Sequence, residues 1–101
     1  MTVKPYVLAE KAYLTDLRRH FHAHPEVSLQ EYETCKKIEG ELDSMGIPHK
    51  RIGETGVYGW IDGKKAGDGV AVALRADIDA LAMEDLKEVP YHSQNAGVCH
   101  A

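Results

Sequence analysis

A cation and two carboxylates directly follow the most apolar run of the sequence. Residues 70–74 read Val-Ala-Val-Ala-Leu, and Arg75, Asp77 and Asp79 come next. An unbroken run of small and β-branched residues is typical of an interior strand covered on both faces, and open α/β sheets build their sites at the carboxyl ends of such strands. If the extended conformation continues, Asp77 and Asp79 point the same way, which suits holding a cation or orienting a ligand's imidazole. The alternative is a strand end whose acids face water and pair with Arg75.

Histidine and cysteine give less specific patterns. His20 and His24 stand one helical turn apart, the spacing that puts two metal ligands on one helix face, but the HExxH pattern is absent and a proline follows. Histidines that favour the dipole at a helix end are the better interpretation. Cys99 and His100 are adjacent, and a thiolate with an imidazole can bind zinc or act as a nucleophile. Cys35 falls on an apolar helical stripe, which predicts a packing role.

Two amphipathic helices are predicted ahead of these residues. Apolar side chains recur at helical spacing over residues 5–22, and Pro25 requires that helix to end before it. Ser28 and Glu31 have the spacing of a capping box, which predicts the start of a second helix that runs to Met45. Gly46 is predicted as its left-handed C-cap.

Strand patterns take over after Pro48. Residues 49–52 are predicted as an edge strand, residues 53–56 as a turn, and residues 57–61 as a strand with Tyr58 and Trp60 on one face. Residues 81–86 are compatible with one helical turn. Helices followed by strands, with residues 70–74 innermost, indicate an α/β or α+β class with a small mixed sheet. Because an interior strand needs neighbours and a second helical layer, we expect a fragment of a larger domain.

Composition narrows the class of protein. The chain has 101 residues, 12 basic and 16 acidic side chains, a net charge of −4 and 44% apolar residues, which describes one globular unit. No clustered basic stripe is present, which argues against nucleic acid and anionic membrane as partners. There is no apolar run of membrane-spanning length and no signal-peptide pattern, so a cytoplasmic location is expected.

Several stretches of the chain match one known family in the same order. They are Leu17-Arg18-Arg19, His22-Ala23-His24-Pro25-Glu26, Glu31 with Thr34, Thr55-Gly56-Val57 with Gly59, Ala73-Leu74-Arg75-Ala76-Asp77-Ile78-Asp79-Ala80-Leu81, and the stretch from Tyr91 to His100. In these the chain resembles the zinc-type amidohydrolases and peptidases related to aminoacylase, in the branch of hippurate hydrolase and auxin-conjugate hydrolases. The Arg-Ala-Asp-x-Asp-Ala-Leu stretch is the most specific.

The resemblance implies roles for several residues. It assigns Asp79 to the catalytic machinery, as the carboxylate that orients the metal centre. Asp77 stands where aminoacylase-like relatives carry a histidine ligand, and Arg75 and His100 stand beside the centre or on its substrate side. His100-Ala101 is similar to the run that leads into the family's Cys-Gly-His-Asp motif, so the resemblance makes Cys99 a residue before the ligand cysteine and not the ligand.

The resemblance also implies a fold and a function. The fold is a three-layer α/β/α catalytic domain, of which residues 1–101 are the N-terminal portion, incomplete and without a lid domain. A full-length relative holds a divalent metal pair, of zinc, manganese, nickel or cobalt, and hydrolyses N-acyl amino acids or small peptides. No complete metal site and no cofactor are expected in this chain, which we expect to be inactive alone. The family's usual proline is replaced by Ala82 and its usual Gln-Glu by Glu84-Asp85.

Two other functions stay open. One is a non-catalytic assembly or binding module that pairs through an exposed sheet edge, with a homo-oligomer as one outcome. The other is an independent metal protein that uses Cys99, His100 and the His20 to His24 cluster.

Overall fold

Helices fill the first half of the chain and a short hairpin follows them. The computed structural model describes residues 2–64, 67 and 69–101. Its elements are α1 (Pro5–Leu8), α2 (Lys11–Ala23), α3 (Tyr32–Met45), β1 (His49–Ile52) and β2 (Gly56–Gly59). The mixed α/β class predicted from the sequence is confirmed.

The single helix predicted over residues 5–22 is divided in two. The Glu10 amide donates to the Val7 carbonyl at 3.1 Å, which closes α1 with a turn before α2 starts. No residue of α1 is buried, so packing does not hold it in line with α2. The predicted stop is confirmed, because α2 ends at Ala23 and Pro25 follows.

The start of α3 differs from the prediction. Ser28 is exposed and makes no capping hydrogen bond, and the helix begins at Tyr32. The Gln30 amide donates to the Val27 carbonyl at 3.0 Å, and Leu29 has a φ of 67°. Residues 27–30 therefore form a turn, although the capping-box pattern predicted that the helix begins among them. The Ser28–Glu31 capping box is therefore wrong.

The end of α3 and the hairpin agree with their sequence signals. Gly46 is left-handed with a φ of 70°, and the Ile47 amide donates to the Leu42 carbonyl at 2.9 Å. This six-to-one bond is the mark of a Schellman C-cap. Strands β1 and β2 are antiparallel, with His49 opposite Gly59. The second strand ends at Gly59, two residues before its predicted end.

The interior strand predicted at residues 70–74 is wrong for the described structure. The described residues form one sheet, which consists of β1 and β2, and residues 70–74 lie outside it. Val72 is 89% exposed and Leu74 is 97% exposed. An apolar pattern predicts burial, but a strand also needs hydrogen-bonding neighbours, and the hairpin does not flank this segment. The helical turn predicted within residues 81–86 is also absent.

Buried residues gather where α3 meets the later part of the chain. Pro25 and Cys35 are fully buried, and Ala80 and Cys99 are nearly so. The Cys35 thiol lies 3.7 Å from the Gly56 carbonyl oxygen, which confirms the packing role predicted for it. Within the described residues, no helix has the length and apolar character needed to cross a bilayer.

Candidate functional site

Two backbone bridges position the segment that carries the predicted site. The Ala80 amide donates to the Glu26 carbonyl at 2.8 Å, within a parallel bridge between Val27 and Ala80. On its other side, Leu81 and Cys99 exchange two hydrogen bonds of 2.9 Å in an antiparallel bridge. Residues 80–81 are therefore held between two chain segments. This arrangement brings the segment of Asp79 alongside the segment of His100.

Asp77 and Arg75 form the ion pair that the simpler sequence interpretation expected. The Arg75 guanidinium lies 2.9 Å from the Asp77 carboxylate, and their side chains are 87% and 67% exposed. Exposed pairs of this kind contribute about 0–1 kcal/mol to stability. The pair therefore contributes little to the stability of the fold.

His100 is the candidate residue with an unsatisfied buried atom. Its Nε2 is shielded from solvent and has no hydrogen-bond partner among the described residues. Burial lowers the pKa of His100, the nearby His22 lowers it further, and Asp79 opposes both effects. The ring is therefore biased toward the neutral form, which is the form that binds metal ions.

A cavity of about 400 Å³ adjoins these residues. Its lining includes Asp77, His22 and His100, together with the cations Arg18 and Lys87. Asp79 is not among the lining residues. The cavity thus combines a carboxylate and two imidazoles with two cations, a combination that suits a small anionic ligand.

His20 and His24 lie close together, as their spacing predicts, but away from the cavity of His100. Their ring centroids are 4.8 Å apart, and both residues line a different cavity, of about 630 Å³, together with Pro25, Glu26 and Asn95. Burial and the proximity of His24 lower the pKa of His20.

His22, between them in sequence, points elsewhere. Its Nε2 lies 3.0 Å from Asp85 Oδ2. Sequence reasoning missed both His22 and Asp85 as partners, because 63 positions separate them and no spacing rule links residues so far apart.

Known proteins similar to this chain are hydrolases. Over 89 residues it is 45% identical to a probable hydrolase of Synechocystis, an alignment that covers 87% of this chain and 22% of the relative. It is equally identical, over the same shares of each chain, to the putative amidohydrolase YhaA of Bacillus subtilis. An uncharacterized hydrolase of Staphylococcus saprophyticus is 42% identical over 94 residues, or 93% of this chain and 24% of the relative. The chain spans about a quarter of the length of these curated relatives.

A solved structure shares the fold. It is the Bacillus subtilis YXEP protein, described as a dinuclear metal binding peptidase from the M20 family. The likeness has a TM-score of 0.84 at 39% sequence identity and covers 91% of this chain and 26% of that one. No protein-family model matches the chain.

Proposed function

We propose that this chain is the N-terminal portion of the catalytic domain of a metal-dependent amidohydrolase or peptidase. The observation that supports it most is the likeness to a dinuclear metal binding peptidase at a TM-score of 0.84 and 39% identity. Relatives named as a hydrolase and an amidohydrolase, at 45% identity, agree with this class. N-acyl amino acids or small peptides are the proposed substrates, and a three-layer α/β/α arrangement is the proposed context of the 101 residues.

The residues present fit one side of a divalent metal centre. His100 offers a buried ring nitrogen without a partner among the described residues, and the Asp77 carboxylate lines the same cavity. Imidazole and carboxylate are both ligands of zinc, manganese, nickel and cobalt. A metal pair needs more donors than this wall supplies, so the remaining ligands and the general base belong, in this proposal, to polypeptide beyond these residues.

Each candidate residue then has a stated role. A divalent pair polarises the substrate carbonyl and acidifies water when it is bound. Asp79 is proposed to favour a charged or metal-bound His100 ring through its negative charge, which raises the pKa of His100, while Arg75 pairs with the Asp77 carboxylate at 2.9 Å. The two cations of the cavity, Arg18 and Lys87, are suited to the carboxylate of an amino-acid substrate.

A chimera tests the proposal. The matching quarter of the YXEP peptidase is replaced by this chain, and hydrolysis of N-acyl amino acids and dipeptides is followed with zinc, manganese, nickel or cobalt. We expect metal-dependent turnover from the chimera and none from the 101-residue chain alone. In the chimera, Asp79→Asn should lower kcat by about 10–100-fold, the usual effect of removing a group that orients a metal ligand.

The control makes the same chemical change elsewhere. Asp16 is an exposed carboxylate on α2, and Asp16→Asn should leave the kinetic constants unchanged. Equal effects of Asp79→Asn and Asp16→Asn would contradict the role given to Asp79. Metal-dependent hydrolysis by the 101-residue chain alone would show that the catalytic groups have been misplaced.

The assembly module remains as a second candidate because of one observation. Val72 and Leu74 are almost fully exposed, although they belong to a segment, residues 70–74, whose composition suits a sheet interior. Chains that expose such segments pair through them. Sedimentation at increasing concentration tests this function: a concentration-dependent dimer that Leu74→Lys dissociates supports it, and a monomer at all concentrations contradicts it.

A further inference from the structure

Three metal-ligating side chains meet at a place that includes neither Asp77 nor Asp79. His22, Asp85 and Cys99 each offer one ligand atom, and these atoms lie within 4.8 Å of one another. They come from the last turn of α2, from the segment after Leu81, and from the bridge opposite Leu81. We refer to them as the His22–Asp85–Cys99 cluster.

Asp85 is held in place before any ligand arrives. The Ser93 amide donates to Oδ2 at 2.8 Å and the Lys87 amide donates to Oδ1 at 3.1 Å. These two amides hold the pKa of Asp85 at about 2, and His22 adds to the effect. The side chain is only 3% exposed. A shielded carboxylate in a fixed orientation, ionised at neutral pH, is a strong start for a cation site.

The other two members complete a ligand set of defined chemistry. Cys99 is 6% exposed, and the His22 side chain is 14% exposed. A thiolate, an imidazole and a carboxylate together suit zinc and its spectroscopic substitute cobalt, and do not suit magnesium or calcium, which prefer oxygen alone. Three protein ligands leave a fourth tetrahedral position for water.

The Cys99 thiol changes its bonding partner when a cation binds. In the metal-free chain it donates to the His100 carbonyl at 3.3 Å. A divalent ion in the cluster would replace this hydrogen bond by a metal–sulfur bond.

We infer that the His22–Asp85–Cys99 cluster binds one zinc-type divalent ion. Neither Asp77 nor His100 belongs to the cluster, although His22 also lines the cavity that holds those two residues. On binding, the S–H bond of Cys99 breaks, a metal–sulfur bond forms, and the proton leaves to solvent. His22 binds through the lone pair of one ring nitrogen, with the ring hydrogen on the other nitrogen, and Asp85 binds as an anion. Tetrahedral zinc places its ligand atoms roughly 3.5 Å apart. The ligand atoms that lie up to 4.8 Å apart would therefore close by about 1 Å, while His22 Nε2 and Asp85 Oδ2, which lie 3.0 Å apart, would separate slightly. Binding at this cluster does not depend on the proposed function.

Cobalt titration of the metal-free chain tests the inference. Cobalt bound to a thiolate gives a charge-transfer band in the near ultraviolet, and four-coordinate cobalt gives intense visible bands. We expect both to saturate at one equivalent per chain and to be displaced by zinc. Cys99→Ser should abolish the charge-transfer band, and Asp85→Asn should weaken binding at least about tenfold.

The second cysteine and an exposed aspartate supply matched controls. Cys35 is also a buried free cysteine, and Cys35→Ser should keep the whole cobalt spectrum. Asp16→Asn should keep it as well, because Asp16 is an exposed carboxylate on α2 that does not belong to the cluster. Loss of the band in Cys35→Ser, or its survival in Cys99→Ser, overturns the inference, and so does the absence of stoichiometric binding.

Thermal unfolding gives a second measurement of binding, which does not depend on the cobalt spectrum. Zinc at about 100 times its dissociation constant raises the melting temperature of a protein that binds it only when folded, by roughly 10–20 °C in a chain of this size. We expect that rise in the wild-type chain and in Cys35→Ser, and none in Asp85→Asn, which keeps the thiol. A rise of equal size in Asp85→Asn contradicts the site.

Discussion

Glu26 links the start of α3 to the segment that carries the candidate site. Its carboxylate accepts hydrogen bonds from the Thr34 amide at 2.6 Å and from the Glu33 amide at 3.2 Å. Its backbone carbonyl accepts the Ala80 amide at 2.8 Å. Burial opposes ionisation of Glu26, but the bonds from Thr34 and Glu33 outweigh it and lower the pKa. The Glu26 side chain therefore caps the start of α3, although the capping-box pattern predicted Ser28 in that role.

The cost of removing this cap follows from the burial of the two amides. Thr34 is 5% exposed, so its amide is left without a partner, at about 1–3 kcal/mol, when Glu26 becomes alanine. Glu33 is exposed and water can replace its lost bond. Loss of a negative charge at a helix N-terminus adds about 0.3–1 kcal/mol. We expect Glu26→Ala to lower the free energy of unfolding by about 2 kcal/mol, or the melting temperature by roughly 8–16 °C.

Urea and thermal unfolding followed by circular dichroism measure this loss. Glu26→Gln keeps an acceptor oxygen without the charge, so we expect a loss of about 0.5–1 kcal/mol. Glu33→Ala is the matched control in the same helical turn, because Glu33 offers only an exposed pair with Lys36. A Glu26→Ala variant as stable as Glu33→Ala, within about 0.3 kcal/mol, would show that the Glu26 carboxylate does not stabilise the start of α3.

The other predictions concern two backbone positions and one tyrosine. Gly46→Ala should cost about 1 kcal/mol, measured by urea unfolding, because position 46 is left-handed at a φ of 70°. Leu29→Gly should be about 1 kcal/mol more stable than Leu29→Ala in the same assay, since position 29 has a φ of 67° and its side chain is exposed. The hydrogen bond to Glu41 raises the pKa of Tyr13 to about 12. Absorbance titration of the wild type and of Tyr13→Phe should therefore show a phenol that ionises late, and Glu41→Gln should bring its pKa back toward the ordinary value of 10.0.

The sign of the tyrosine effect on stability follows from the direction of that shift. A pKa that is higher in the folded state than in the unfolded state gives stability that is complete below about pH 10 and lost as the pH rises toward 12. Alkaline unfolding should therefore be steeper over this range in the wild type than in Tyr13→Phe. Equal slopes would contradict the contact between Tyr13 and Glu41. Equal stability of the two Leu29 variants would contradict the left-handed backbone at position 29. A Gly46→Ala variant as stable as the wild type would contradict it at position 46.

Signals that act between near neighbours in sequence predict the structure well. Pro25 ends α2, Gly46 ends α3, and the two glycine-bounded strands pair as a hairpin. Each depends on backbone geometry within a few residues. The capping box is the exception, because the left-handed Leu29 and a competing turn are not visible in residue types.

Contacts between distant segments could not be predicted. The Thr34 amide finds its acceptor eight positions back, and His22 finds Asp85 63 positions on. For residues 70–74, the sequence predicts burial that the structure does not show. Their composition is that of a buried strand, but burial and pairing depend on what lies beside them, and Leu74 is exposed. The sequence predicts only part of the candidate site. Asp77 and His100 line one cavity, but Asp79, which was predicted with them, is not among its lining residues.

The turnover of the chimera relative to its parent shows whether these residues can serve as part of a metal-dependent hydrolase. The chimera carries this chain in place of the matching quarter of the YXEP peptidase, and both proteins are loaded with the same divalent metal. On a substrate that the parent hydrolyses, we expect the chimera to retain metal-dependent turnover with kcat/KM within about 100-fold of the parent, a loss of at most about 2.7 kcal/mol in transition-state stabilisation. A chimera that folds, binds two metal ions and does not hydrolyse that substrate would contradict the account.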